Sequence, residues 1–216
     1  MAMLIRLPVF IALWIYKNIS SMLQHRFLKP IVFCLCLVPL AVLIGLAITN
    51  KLGANPIEEI THFTGQWALY FLLITLSVTP LKRITGKAEF IRYRRMLGLY
   101  AFFYACLHFL TYMVLDQFFD FEEIIIDIAK RPYITVGFTA FVLLIPLAIT
   151  STKGMMKRLG KKWTMLHKII YLIGTLAILH FLWLVKADIL EPVIFGIILI
   201  TLLILRLPKK RRLLTN

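Results

Sequence analysis

A chain of 216 residues that is 61% hydrophobic, with a mean hydropathy of +0.87, exceeds the roughly 45–50% apolar content of soluble domains, and the surplus has to face lipid. Its 25 Lys and Arg against 10 Asp and Glu give a net charge of +15, but the placement of those charges argues against a nucleic-acid surface. Twenty of the 25 basic residues fall in the N-terminal segment, 82–95, 153–162 and 206–212, while nine of the ten acids fall in 50–62, 116–131 and 186–191. Short loops rich in Lys and Arg stay in the cytoplasm, so the basic runs set topology at an anionic lipid surface.

Residues 1–29 read as a basic, interfacial extension. The apolar run from Leu4 to Tyr16 is interrupted by Arg6 and Pro8 and lacks a small-residue cleavage motif, which sets it apart from a signal peptide. Six long apolar segments follow, at about 31–49, 63–81, 96–115, 132–152, 163–185 and 189–207, read with a window of about 19 residues. The sixth is the weakest, with Glu191 near its start. Lipid offers backbone groups no water, so each segment is expected to be helical. The stretch 116–131 is acidic with an apolar stripe and predicts a small helix on the outer surface. The expected fold is an all-α integral membrane protein: a six-transmembrane-helix bundle over 30–207, both termini cytoplasmic, with a basic cytoplasmic tail at 208–216.

No internal repeat is detected, and neither GxGxxG nor GxxxxGK[ST] occurs, so no nucleotide site is legible. Cys34, Cys36 and Cys106 all lie in apolar segments without a CxxC pair and read as packing residues. No loop is long enough for a catalytic domain, which leaves the chemistry to the space between helices.

An ionisable group inside a span is costly and is by default a functional hypothesis. Counted from the cytoplasmic charges, His108 lies about 20 Å into the third segment and His180 about 27 Å into the fifth. His167 is only about 8 Å in. His108 and His180 are therefore expected to face each other across a haem in the outer half, with His167 in the inner half lacking a histidine partner. Interhelical hydrogen bonding is the alternative for each histidine. Thirteen residues turn by about 220°, so His167 and His180 do not share an ideal helix face: either the helix is tilted or bent near Gly174, or the two sites lie on different sides of it. Arg94 falls within about 40° of the His108 face, and Arg95 points away. Arg94 is expected to hold haem propionates or to approach the iron opposite His167; the alternative is a topology-setting pair of cations. His25 reads as solvated, and His62 as either a capping or a functional group at the outer mouth.

The segments "LGANPIEEITHFTG", "RYRRMLGLYAFFYACLHFLTY", "RPYIT" and "TSTKGMMKRLGKKWTMLHKIIYL" resemble, in order and spacing, the MsrQ (YedZ) family of haem-binding membrane subunits within the ferric-reductase-like transmembrane proteins. The resemblance covers about residues 30 to 207. It implies b-type haem, one or two, held by His108, His167 and His180, with Arg94 at a ligand-like position. It also implies electrons from the quinone pool or a cytoplasmic flavin reductase, FMN as a further cofactor or donor, and a bacterial inner-membrane location. The implied partner is a periplasmic molybdopterin methionine sulfoxide reductase that repairs oxidised proteins. Such a chain is an electron-transfer subunit and not the catalytic one. A stand-alone ferric or oxygen reductase is the alternative, and a proton-coupled transporter using the histidines and Lys168 is a third reading.

Overall fold

The computed structural model describes residues 28–185 and 189–207. The expected tail at 208–216 and all but the last two residues of the expected extension at 1–29, His25 included, lie outside them. The chain divides at Ile44–Gly45 into two compact units. Helix α1 (Leu28–Ile48) lies mostly in the first, and the helices after it lie in the second.

Helix α2 (Pro56–Thr85) starts and stops where its sequence says it should. Asn55 accepts from the Glu58 N–H, Pro56 takes the first turn, and Glu58 and Glu59 face the positive end of the helix dipole. Lys82 and Arg83 occupy the last turn, and Gly86, at φ 71°, closes the helix in a left-handed conformation that a side chain would strain. Helix α3 (Ile91–Thr111) runs on through a π turn at Tyr112–Asp116. Helix α4 (Phe121–Lys130), expected as a small helix, is capped by Asp120, which accepts from the Glu122 and Glu123 N–H groups. It buries Ile124 and Asp127 and exposes Phe121 and Ile125.

Helix α5 (Pro132–Ile149) again begins on proline. Two short helices, α6 (Lys153–Leu159) and α7 (Lys161–Leu166), are parted by Gly160 at φ 50°. A 3₁₀ turn at His167–Ile169 leads from α7 into α8 (Ile170–Leu184), and α9 (Leu190–Ile204) completes the described residues.

Helix α2 packs on α3 and α5 packs on α8, and the two pairs enclose the core of the unit. Tyr104, Leu76, Ile173 and Thr64 are its most completely buried large residues. Gly174 brings α8 close to α9, since a Cβ there would stand 3.2 Å from Leu199 Cδ1. The break from α-helical winding between His167 and His180 is the 3₁₀ turn that carries His167, just before α8. Tighter winding over three residues adds about 60°, and it narrows the angle between His167 and His180 from about 140° to about 80°.

Among the described residues, five helices are long and apolar enough to cross a bilayer: Leu28–Ile48, Pro56–Thr85, Ala88–Asp116, Pro132–Ile149 and Lys161–Leu184. The sixth expected segment yields only the 15 residues of α9, about 22 Å against a hydrocarbon core of about 30 Å. Its helix stops at Ile204 because the chain turns at Leu205–Leu207. Arg83 Nη1 donates to the freed carbonyls of Leu205 (2.8 Å) and Leu207 (3.3 Å), and Pro208 next in sequence disfavours helical geometry at Leu207. The protein is an all-helical, multi-pass membrane protein over its described residues.

Candidate functional site

At the end of the unit that carries the acidic connections, α2, α3, α5 and α8 enclose a cavity of about 300 Å³. Its depth is apolar, lined by Leu69, Leu72, Leu144 and Ile173. His108 enters from α3 and His180 from α8, with ring centroids 6.1 Å apart and planes at 74°. His108 Nδ1 lies 2.9 Å from the Thr61 carbonyl and His180 Nδ1 lies 2.7 Å from the Tyr133 carbonyl. A carbonyl only accepts, so each Nδ1 donates and each Nε2 keeps a lone pair. That is the tautomer a metal-binding imidazole needs, and the backbone bond fixes the ring orientation. Two metal–nitrogen bonds of about 2 Å plus the reach from each Nε2 to its ring centre give about 6.3 Å, close to the observed separation. Among the described residues no group of three His, Cys, Asp or Glu gathers in one place. Two imidazoles without a third protein ligand suit an iron that brings its own equatorial donors, as in haem.

The two histidines are held by the same device used twice. A Cβ at Gly65 would stand 3.0 Å from His108 Nδ1, and one at Gly137 would stand 2.6 Å from His180 Nδ1. Only glycine lets each ring lie against the helix and reach a carbonyl four residues earlier. Thr61 and Tyr133, Gly65 and Gly137, and His108 and His180 are each 72 residues apart, and "ACLHFL" (105–110) recurs as "AILHFL" (177–182). The α2–α3 and α5–α8 pairs thus repeat each other's contacts, which corrects the sequence reading that no repeat exists. The repeat is short and its flanks have diverged, so it emerges only once the shared contacts align it.

The rim of the cavity is polar. Asp127, 2% exposed, receives Arg131 Nε at 2.9 Å, the Tyr112 hydroxyl at 3.2 Å and Gln117 Nε2 at 3.1 Å. Arg131, Tyr112 and the exposed His62 all line the opening. The π turn one residue after Thr111 aims Tyr112 at Asp127; such turns often mark functional sites.

The opposite, basic end holds the other candidates. Arg94 is half-buried and Arg95 exposed. Arg94 lies within electrostatic range of Arg206, Tyr171 and His167. His167 stacks on Trp163 at 3.9 Å, and its Nδ1 donates to the Trp163 carbonyl at 3.1 Å. Its Nε2 is buried without a hydrogen-bond partner, the Leu147 carbonyl nearby falling outside bonding geometry. Neither Arg94 nor His167 lines the cavity, and Lys168 is exposed. A feature the sequence reading missed is Arg206, whose Nε donates to the Leu76 carbonyl at 3.0 Å and whose Nη1 donates to the Tyr171 hydroxyl at 3.1 Å. Pro80, four residues after Leu76, has no N–H to give that carbonyl, so Arg206 replaces the missing helix bond.

Residues 64–178 match the family described as ferric reductase like transmembrane component. A protein of Herminiimonas arsenicoxydans is 54% identical over 186 residues, covering 85% of this chain and 85% of its own, and bears the name "Protein-methionine-sulfoxide reductase heme-binding subunit MsrQ". The chain belongs to the MsrQ family. Relatives of the same name include one from Xanthomonas euvesicatoria, 53% identical over 84% of this chain and 86% of its own. Another, from Xanthomonas campestris, is 59% identical over 72% of this chain and 71% of its own. No solved structure matches the chain.

Proposed function

We propose that this chain is a membrane electron-transfer subunit in which His108 and His180 are the axial ligands of one b-type haem. The observation that carries the reading is the pair of Nδ1–carbonyl bonds, which leave each Nε2 with its lone pair on two rings whose centres are 6.1 Å apart in an apolar cavity. Bound there, the iron would supply one-electron redox chemistry. The chain's own residues do the rest: Thr61 and Tyr133 fix the imidazole tautomers, Gly65 and Gly137 admit the rings, and the leucines of the cavity exclude water.

The basic loops belong on the cytoplasmic side, the acidic end on the periplasmic side, and α9 serves as a short sixth span, which places both termini in the cytoplasm. His167, with an unpaired Nε2, and Arg94 form the inner site where electrons enter, from the quinone pool or a cytoplasmic flavin reductase, and where a second haem would bind. The FMN implied by the resemblance belongs with that donor. The acceptor is the periplasmic molybdopterin methionine sulfoxide reductase, and the membrane is the bacterial inner membrane. The family membership and the relatives' printed names support the haem-binding membrane subunit and its link to a methionine sulfoxide reductase.

The test is an absorption spectrum of detergent-purified protein, oxidised and then dithionite-reduced, with pyridine haemochrome quantification. A Soret band with sharp reduced α and β bands is expected. The haem-to-protein ratio counts the sites. A colourless protein that stays colourless on titration with haem would end the proposal.

A further inference from the structure

The cavity is lopsided: its depth is hydrocarbon, and its rim carries the polar groups. Of the residues that line it, Arg131 is the one with a permanent positive charge. Its guanidinium is held by Asp127 through Nε at 2.9 Å and is also engaged by the Tyr133 side chain, which still leaves N–H donors of the planar fork for a further acceptor. Asp127 is in turn fixed by Tyr112 and Gln117, which occupy its second oxygen. A buried carboxylate that needs only a counter-charge would be served by a cation turned away from the cavity. Here the arginine is half exposed, at 52%, and stands on the rim. It also precedes by two residues Tyr133, whose carbonyl orients His180.

Haem has an apolar edge and an edge with two carboxylates, and the carboxylate edge needs a cation and water. Resting on the axial ligation proposed above, we infer that Arg131 binds the haem propionates and that Asp127 is the positioning residue that sets it. The porphyrin then has one orientation, with its propionates at the acidic end and its apolar edge toward Leu72 and Leu144. Asp116, the other charged residue on the rim, is exposed and repels that edge weakly through water.

The test compares haem with its dimethyl ester, which keeps the iron and the ring but loses both charges. Full-length apoprotein in detergent is titrated with each, following the Soret band. The wild-type chain is expected to bind haem about tenfold or more tightly than the ester, the scale of a charge-assisted hydrogen bond. Arg131→Gln is expected to bring the ratio close to one and to shift the haem midpoint potential downward, because a propionate charge is no longer offset. Arg131→Lys should keep part of the preference, and Asp127→Asn should lose part of it. A ratio near one in the wild-type chain, or one unchanged by Arg131→Gln, overturns the inference while leaving His108 and His180 as ligands. If neither porphyrin binds, the axial ligation falls first and the inference with it. Should Arg131→Gln fail to fold, the wild-type ratio and the Arg131→Lys and Asp127→Asn variants still decide.

Discussion

Gly137→Ala isolates the contact on which the site depends, since it adds one methyl group and leaves every polar atom in place. The new Cβ would stand 2.6 Å from His180 Nδ1 and 2.8 Å from Cε1. To reach an ordinary contact of about 3.5 Å the ring must retreat by about 0.9 Å. The neighbour is a ring fixed by a 2.7 Å bond to the Tyr133 carbonyl, not the free end of a flexible chain. Retreat on that scale stretches the bond toward its limit and costs about 1 kcal/mol of hydrogen bonding, and it also moves Nε2 off the axis of the iron. Loss of an outer-shell partner typically costs 10–100-fold in metal affinity, and Gly137→Ala is expected to fall in that range. Gly65→Ala asks for only about 0.5 Å and should be milder. Gly174→Ala meets the mobile Cδ1 of Leu199, far from the histidines in the helix register, and should lower stability without changing the spectrum. The assay is haem per protein by pyridine haemochrome together with the reduced α band. Gly137→Ala with full haem and an unchanged spectrum would refute the close-approach argument.

Other substitutions probe the remaining parts. His108→Ala and His180→Ala should each abolish the same haem, so haem contents that differ clearly between the two would break the pairing. Arg94→Ala should weaken the inner site more than Arg95→Ala does, and equal effects on haem content or on reduction by the cytoplasmic donor would reduce both arginines to topology signals. Arg206→Ala exposes a buried carbonyl without a donor and should cost about 1–3 kcal/mol in thermal or denaturant stability. Pro80→Ala restores an N–H to the same carbonyl, so the double variant should be less impaired than Arg206→Ala alone; additive losses measured in that cycle would contradict the replacement of one bond by the other.

Periodicity and charge made the membrane class legible, because a run of twenty apolar residues has few soluble destinations. Depth counting placed His108 and His180 in the same outer half, about 7 Å apart before any helix tilt, since rise per residue hardly varies along a helix. Facing was harder. His167 sits in a 3₁₀ turn whose winding differs from the α-helical value, so a projection from ideal geometry overstated the angle between His167 and His180. The α-helix of the sixth segment is shorter than its apolar run because the bonding after Leu205 tightens to three-residue turns, Arg206 to Leu203 and Leu207 to Ile204. Gly65 and Gly137 were invisible as site residues: a glycine in an apolar helix says that something comes close, but not what. The signal that would have revealed them is the offset of 43 residues from each glycine to its histidine. Arg206 was read as one more basic charge near the C-terminus, and only its contact with the carbonyl freed by Pro80 separates it from its neighbours.

The doubled arrangement of Gly65 with His108 and Gly137 with His180 has a consequence for biogenesis. Each half of the unit owns one of the two histidines proposed as ligands, its orienting carbonyl and the notch that admits it, as each subunit of a symmetric dimer would. A nascent chain that has inserted only α2 and α3 can present His108 but not His180. Six-coordinate iron would then appear only after α8 has entered the membrane and met α3, so the colour of the protein becomes a clock for the insertion of its second half.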